Sequence, residues 1–146
     1  MDKALDKPLE EMLNLLLESE RAGAAALEHL APQVEQEELR QFLIGERDEE
    51  QRNVEGLEAL IREGGGTPSK AVGPFAAKVA ALGTIRERLN LLSHGQEWVA
   101  RKVEEALALA PAEGPIHEFL RSMGNRHRAE IEWGRAEVIR LLNPEK

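Results

Sequence analysis

The sequence contains no cysteine and no tyrosine among its 146 residues, and aromatic residues make up only 3% of it. Without cysteine there is no disulfide, thiolate nucleophile, iron–sulfur cluster or cysteine-ligated zinc. Without tyrosine there is no tyrosyl radical or tyrosinate ligand. Aromatic and β-branched residues, the usual material of sheets, are scarce, whereas alanine, leucine, glutamate and arginine favour helices. The sequence therefore predicts an all-α protein.

Positive charge and long apolar runs are also scarce. The formal net charge is −8, and an acidic surface repels the phosphates of nucleic acids and anionic membranes. The apolar runs, such as Leu15 to Leu17, are far too short to span a bilayer, and residues 1–9 lack a signal-peptide pattern. We therefore expect a cytoplasmic protein with neither nucleic acid nor membrane as a partner.

Helix-breaking and capping residues divide the chain into segments. Asp6 is a suitable N-cap for the first helix, Pro32 could begin the second, and Thr84 with Glu87 forms a capping-box pattern for the third long helix. Gly64 to Gly66 stop the second helix, and Asn143-Pro144 closes the last. The predicted long helices cover about 8–30, 32–63, 84–109 and 116–142, and a short helix covers 75–82.

The lengths of the connections predict the topology. The first and second long helices, like the third and fourth, are joined by short loops, so each pair should form an antiparallel hairpin. The middle connection could cover about 40 Å, which is enough to carry the chain back along the helices. We therefore expect one domain over residues 1–146, a four-helix bundle with one long crossover between helices 2 and 3. This is the ferritin-like arrangement.

Each long helix has a stripe that is apolar at both ends and polar near its middle. In helices of nearly equal length the middles lie at the same level, which predicts one internal polar layer. The first helix contributes Glu20, and the third contributes Gln96. The second helix contributes Glu49, Glu50 or both, with Glu46 and Asn53 on the same stripe, and the fourth contributes His127 and Glu130.

Several buried carboxylates need compensation, because an uncompensated buried charge is very costly. A metal ion is the first alternative: Glu20, Glu49, Glu50, His127 and Glu130 offer ligand atoms suited to iron, manganese or zinc. Buried arginine is the second, and protonation with buried water is the third. The candidate arginines are Arg21, Arg52, Arg101 and Arg126.

Each candidate ligand also has an interpretation that does not involve a metal. Glu20 could pair with an arginine, Glu49 could be a surface charge, and His127 could be a core histidine bonded to Glu20 or Gln96. In the metal interpretation, Gln96 orients a carboxylate ligand. Arg21 and Arg101 then lie beside the ligands.

Several strings resemble a group of small uncharacterised bacterial proteins assigned to the ferritin-like superfamily. The likeness covers roughly residues 9–131. The strings are LLESERAGA at 16–24, RDE at 47–49, GTPS at 66–69 with GPF at 73–75, and GQEWVARK at 95–102. The last is the most distinctive. The resemblance implies a ferritin-like bundle and no particular activity.

Di-iron members of the superfamily use a glutamate from helices 1 and 3 and a Glu-x-x-His pair from helices 2 and 4. Glu20 fits the first position. In the second helix Glu49 is followed three residues later by Arg52, and Glu50 by Asn53, so the histidine of the pair is missing.

The third and fourth helices also depart from the di-iron pattern. The third helix offers Gln96 on its inward stripe, and in the fourth helix His127 precedes Glu130, the reverse of the di-iron order. A single metal, or a relic site that binds none, fits these residues at least as well as a di-iron centre. The absence of cysteine excludes the iron–sulfur appendage of rubrerythrins.

Two functions follow as hypotheses. The first is a ferritin-like bundle that binds iron or manganese and, if it is an enzyme, is an oxidoreductase acting on oxygen or peroxide; the sequence identifies no small-molecule substrate. The second is a non-catalytic structural or interaction module whose polar layer is a metal-free salt-bridge network that fixes helix register. Trp98 and Trp133 lie off the main stripes and could thicken the core or form a dimer face. With the wide apolar surface of Leu15 and Leu17, they suggest a homodimer.

Overall fold

The computed structural model describes residues 5–142, and these residues form helices and no strand. The all-α prediction is therefore confirmed for this part of the chain. None of the described helices has an apolar stretch long enough to cross a lipid bilayer. The helices are α1 (Lys7–Leu30), α2 (Glu37–Glu63), α3 (Phe75–Ala80), α4 (Ile85–Leu109) and α5 (Pro115–Leu142), and a 3-10 turn spans Ala31–Gln33. The four predicted long helices are thus α1, α2, α4 and α5.

Capping side chains define two of the helix starts, as predicted. The Leu9 N–H donates to Oδ1 of Asp6 at 3.0 Å. The Glu87 N–H donates to the Thr84 hydroxyl at 3.1 Å, and the Thr84 N–H donates to the Glu87 carboxylate at 3.2 Å, which completes a capping box. The predicted closing residues Asn143 and Pro144 lie outside the described residues.

The predicted start of the second helix at Pro32 was wrong. Pro32 lies in the 3-10 turn, and α2 begins at Glu37. The residue after the turn, Val34, has an extended backbone and is 2% exposed. Burial of the Val34 side chain thus accompanies an extended stretch that separates the turn from the helix. The short helix is also two residues shorter than predicted and ends at Ala80.

The four long helices contact one another in a closed ring. Helix α1 contacts α2 and α4, and α5 contacts the same two helices. The Leu5 N–H donates to the Gly64 carbonyl at 2.8 Å, which places the beginning of α1 beside the end of α2. These two helices are therefore antiparallel, as predicted for the first hairpin.

The long connection between α2 and α4 runs along α1. The Thr67 N–H donates to Glu10 at 3.1 Å, and the Ser69 hydroxyl donates to Glu18 at 2.5 Å. One turn further, the Arg21 guanidinium donates to the Ser69 carbonyl at 2.6 Å. The partners on α1 advance in sequence with the connection, so the chain returns along α1 before α3 begins.

The core divides into two apolar clusters. The first cluster lies around the beginning of α1 and the end of α4, and it consists of Leu9, Leu13, Leu16, Leu17, Leu57, Ile61, Val99, Val103, Ala106, Leu120 and Met123. The second cluster lies around the end of α1, the beginning of α4 and the short helix α3. It consists of Ala26, Leu27, Leu30, Ala31, Val34, Leu39, Leu43, Val79, Leu89 and Leu92.

Candidate metal centre

A buried polar layer separates the two apolar clusters. On α1, Glu20 falls between Leu17 of the first cluster and Ala26 of the second. On α4, Gln96 falls between Leu92 and Val99 in the same way. The predicted internal layer is therefore confirmed. Its buried members, from all four long helices, are Glu20, Glu46, Glu50, Asn53, Gln96 and His127.

Glu20 is held by two side chains from other helices. The Asn53 amide donates to Oε1 of Glu20 at 2.8 Å. The Nε2 atom of His127 lies 3.3 Å from the same carboxylate. Glu20 and His127 are 1% and 2% exposed, so water contributes little to the solvation of either group. Asn53 lies on the inward stripe that the sequence predicts, whereas its hydrogen bond to Glu20 has no signal in the sequence.

Gln96 connects the histidine to a second carboxylate. Its amide nitrogen donates to Oε2 of Glu50 at 2.6 Å, a contact that would orient this carboxylate. Its carbonyl oxygen is left to accept a hydrogen bond from Nδ1 of His127. The amide orientation therefore places the imidazole proton on Nδ1 and directs Nε2 towards Glu20. Metal-binding histidines are oriented in this way by a partner on the other ring nitrogen.

Glu50 has an unsatisfied oxygen. Its Oε1 atom is buried and has no hydrogen-bond partner among residues 5–142. The carboxylate packs so closely on α1 that a Cβ atom at Gly23 would overlap Oε1. Glycine at this position thus allows the carboxylate to approach the helix. A buried, unpaired carboxylate oxygen requires a proton or a cation, because leaving it bare is costly.

Three of these residues converge on one point. Glu20, Glu50 and His127 each offer a ligand atom, and the three atoms lie within 4.8 Å of one another. All three residues are buried. Two carboxylates and one imidazole are suitable ligands for iron, manganese or zinc, so the donor set and the bare oxygen of Glu50 both fit a single divalent ion.

The electrostatics of the layer favour added positive charge. Burial and the nearby carboxylates raise the pKa of Glu46 and of Glu50 well above the usual value. Burial raises the pKa of Glu130 to about 7, against the lowering effect of His127. Burial lowers the pKa of His127, but the charge and hydrogen bond of Glu20 outweigh it, and the pKa is raised. Every group in this set therefore holds protons more tightly than it would in water.

Comparison with known proteins gives a family and no function. A family model described as a domain of unknown function, DUF6306, matches residues 8–137. The chain belongs to the DUF6306 family. The comparisons with curated proteins and with solved structures gave no match. The matched region of this DUF6306 chain includes every residue of the polar layer.

The structure distinguishes Glu50 from its neighbour Glu49. Glu49 points to the rim of the DUF6306 domain, where its carboxylate pairs with Arg52 at 2.6 Å and with Arg126 at 2.5 Å. Glu50 lies in the layer. Two of the arginines considered as compensators for the layer thus bind Glu49, and Glu49 lies outside the group that converges with Glu20.

The remaining predicted residues lie outside the group of three convergent ligands. Arg21 pairs with Glu58 at 2.7 Å and holds the connection after α2. Arg101 is exposed on α4, and Glu130 is half-buried at the edge of the layer beside Glu46. Neither Arg21 nor Glu130 belongs to the convergent group. Glu46 was on the predicted stripe but was not named as a site residue.

The two tryptophans have partners within the chain. Trp98 packs against the first cluster, and Trp133 stacks on Phe42 with 4.0 Å between ring centroids. These contacts agree with the interpretation that they thicken the core. The homodimer stays a prediction.

Proposed function

We propose that this DUF6306 chain is a ferritin-like four-helix bundle that binds one divalent transition metal, iron or manganese, through Glu20, Glu50 and His127. The observation that carries the proposal is the convergence of the three ligand atoms within 4.8 Å inside a buried layer. Gln96 supports it, because its hydrogen bonds orient both Glu50 and His127.

The connectivity supports the ferritin-like part of the proposal. The helices α1 and α2 form one hairpin, α4 and α5 are joined by a short loop, and a long connection along α1 links the two pairs. Bundles with one such crossover build metal sites from side chains on facing helices. Here α1, α2 and α5 each contribute one candidate ligand.

A count of charges favours a metal over a closed ion-pair network. The layer holds the carboxylates of Glu20, Glu46 and Glu50, and one imidazole is the only basic side chain among its six buried members. One protonated His127 therefore balances one of three acids. A divalent ion would balance two carboxylates and leave the imidazole neutral to bind through Nε2. Bound iron or manganese would supply redox chemistry towards oxygen or peroxide.

The second candidate function is a structural module whose layer contains no metal. It is supported by the raised pKa of His127 and its distance of 3.3 Å from Glu20, which suit a protonated histidine as the internal cation. In this case protons on Glu46 and Glu50 would balance the remaining acids, and the layer would fix the register of the helices.

Metal analysis of the purified full chain tests the proposal. The protein is prepared without chelators, loaded anaerobically with Fe²⁺ or with Mn²⁺, passed through a desalting column and analysed by mass spectrometry of the elements. We expect one metal per chain in the wild type and in Glu49→Gln, and much less than one in Glu50→Gln and Glu20→Gln. The Glu49 variant is the matched control, because it removes a neighbouring carboxylate that binds arginines.

Two results would overturn the metal proposal in favour of the structural module. One is a folded wild-type chain that retains neither metal after desalting. The other is metal retained equally by Glu49→Gln and Glu50→Gln, since adventitious surface binding would not distinguish the two carboxylates.

A further inference from the structure

A cavity of about 200 Å³ lies beside the polar layer, between α1, α4 and the stretch of chain that leads into α3. Its walls are largely apolar and include Leu15, Leu92, Phe75 and Trp98. Val72, which also lines it, is 44% exposed, so the cavity reaches the solvent on that side. The cavity therefore connects the outside of the protein with the interior.

The inner end of the cavity is acidic. Glu20 and Glu50 belong to its lining, and so does Gly23, over which the unpaired Oε1 of Glu50 lies. Glu18, nearer the connection, adds a third carboxyl group. No lysine, arginine or histidine lines the cavity in the part of the chain that is described. A molecule inside it would thus meet apolar walls and, at one end, hydrogen-bond acceptors.

We propose that this cavity binds a small organic molecule with an apolar body and one hydrogen-bond-donating head, a hydroxyl or an ammonium group, with the head directed at Glu50. The site goes beyond metal binding and does not require it. The apolar body would contact Leu15, Phe75 and Trp98. The head would donate to the carboxyl group of Glu50 at the inner end of the cavity.

The size and charge of the cavity define the ligand class. Apolar cavities of about 150 Å³ hold a benzene molecule, so about 200 Å³ accommodates one ring with a short substituent. A carboxylate head would be buried with no basic side chain in the lining to pair with it, and the cost of removing an unpaired charge from water opposes its binding.

The positions of the two tryptophans give a built-in readout. Trp98 lines the cavity, whereas Trp133 stacks on Phe42 and is not part of its lining. The two indole N–H signals in a ¹H–¹⁵N spectrum of the full chain therefore report on the cavity and on a reference position. A Trp133→Phe variant assigns the signals.

The experiment titrates benzyl alcohol, benzylamine and benzoate, at one pH near 7, into the metal-free full chain and, separately, into the Mn²⁺-treated chain. We expect at least one of the two donors to shift the Trp98 signal in a saturable way and to leave Trp133 unchanged. Benzoate should bind at least about tenfold more weakly. Comparison of the alcohol with the amine tells whether the head is neutral or cationic.

Two variants test the location. Ser19→Leu adds apolar volume to the wall of the cavity, and the hydroxyl that it removes donates to the Leu15 carbonyl of its own helix. It should weaken the binding of the donors at least about tenfold. Ala25→Leu makes a similar addition at an exposed position of the same helix and should bind as the wild type does.

The proposal is overturned if neither donor moves the Trp98 signal, if benzoate binds as well as they do, or if Ser19→Leu binds them unchanged. If Ser19→Leu fails to fold, the comparison of the two donors with benzoate in the wild type still tests the proposal. If the Mn²⁺-treated chain retains no metal but still binds a donor, the metal proposal is rejected and the cavity proposal is upheld. The two proposals can therefore fail separately.

Discussion

The two apolar clusters and the polar layer between them contribute to the protein in opposite ways. Leu13, Leu16 and Leu17 of the first cluster are completely buried, and each buried leucine stabilises the fold by about 1.5–3 kcal/mol. In the layer, Glu46 and Glu50 are almost as deeply buried, yet their raised pKa values show that the fold opposes their charged forms. The clusters hold the helices together, and the layer reduces stability unless protons or a cation neutralise it.

The largest expected effect on stability comes from a substitution in the first apolar cluster. Leu13→Ala removes a fully buried side chain and leaves a cavity, which should lower the free energy of unfolding by about 2–5 kcal/mol. Urea unfolding followed by circular dichroism measures this. The folded fraction of the variant should retain its metal, because Leu13 is not a layer residue. Loss of metal from folded Leu13→Ala would show that metal binding in the layer depends on the packing of the apolar cluster.

The pH dependence of the metal-free protein is the next largest effect. Glu130, with its pKa raised to about 7, binds its proton more tightly when folded than when unfolded. Its contribution is therefore fully present below about pH 4.5 and is lost as the pH rises through 7. Glu46, Glu50 and His127, whose pKa values are also raised, act in the same direction.

Urea unfolding at pH 5 and pH 8 should accordingly show that the metal-free chain is less stable at pH 8, by about 2 kcal/mol from Glu130 alone. Glu130→Gln should reduce the difference, and added Mn²⁺ should reduce it further by replacing the protons. A metal-free chain that is equally stable at both pH values would contradict this description of the layer.

Replacement of one layer acid by an apolar residue should have a smaller effect of the opposite sign. Glu50→Met keeps the approximate length of the side chain and removes the unpaired oxygen. At pH 8 the metal-free variant should be more stable than the wild type by about 1 kcal/mol, because removal of a buried acid outweighs the loss of the hydrogen bond that Gln96 donates to Glu50. The same variant should no longer bind metal. A variant destabilised by several kcal/mol would instead mean that Glu50 is stably paired.

The smallest effect should come from Glu49, next in sequence to Glu50. Its arginine partners Arg52 and Arg126 are 65% and 44% exposed, so solvent screens both ion pairs. Glu49→Gln should change the free energy of unfolding by less than about 1 kcal/mol, and less again in 1 M salt. A loss of stability comparable to that of Leu13→Ala would mean that Glu49 is as important to the fold as a fully buried residue, and it would contradict its placement at the rim.

Local signals in the sequence predict much of the fold. Asp6 and the pair of Thr84 and Glu87 cap their helices as expected, and the glycines after Glu63 end α2. The position of Val34 could not be predicted in this way. Val34 belongs to the second cluster, whose members come from several helices, and this tertiary packing overrides the helix-starting tendency of Pro32.

The polar layer was predictable, but the choice between Glu49 and Glu50 was not made. The buried positions of α2 follow Leu39, Leu43, Glu46, Glu50, Asn53, Leu57 and Ile61, in steps of three and four. A stripe through Phe42 and Leu60, each one residue before the buried Leu43 and Ile61, is also apolar at both ends. The sequence pattern therefore does not decide between Glu49 and Glu50. The cavity beside the layer depends on the path of the connection and has no local signal.

The most direct test of the central claim is an anomalous-scattering map from crystals of the full chain grown with Mn²⁺ or, anaerobically, with Fe²⁺. We expect one strong peak in contact with carboxylate oxygens of Glu20 and Glu50 and with Nε2 of His127. A map without a peak there, with His127 bonded directly to Glu20 and the acids unchanged in position, would contradict it.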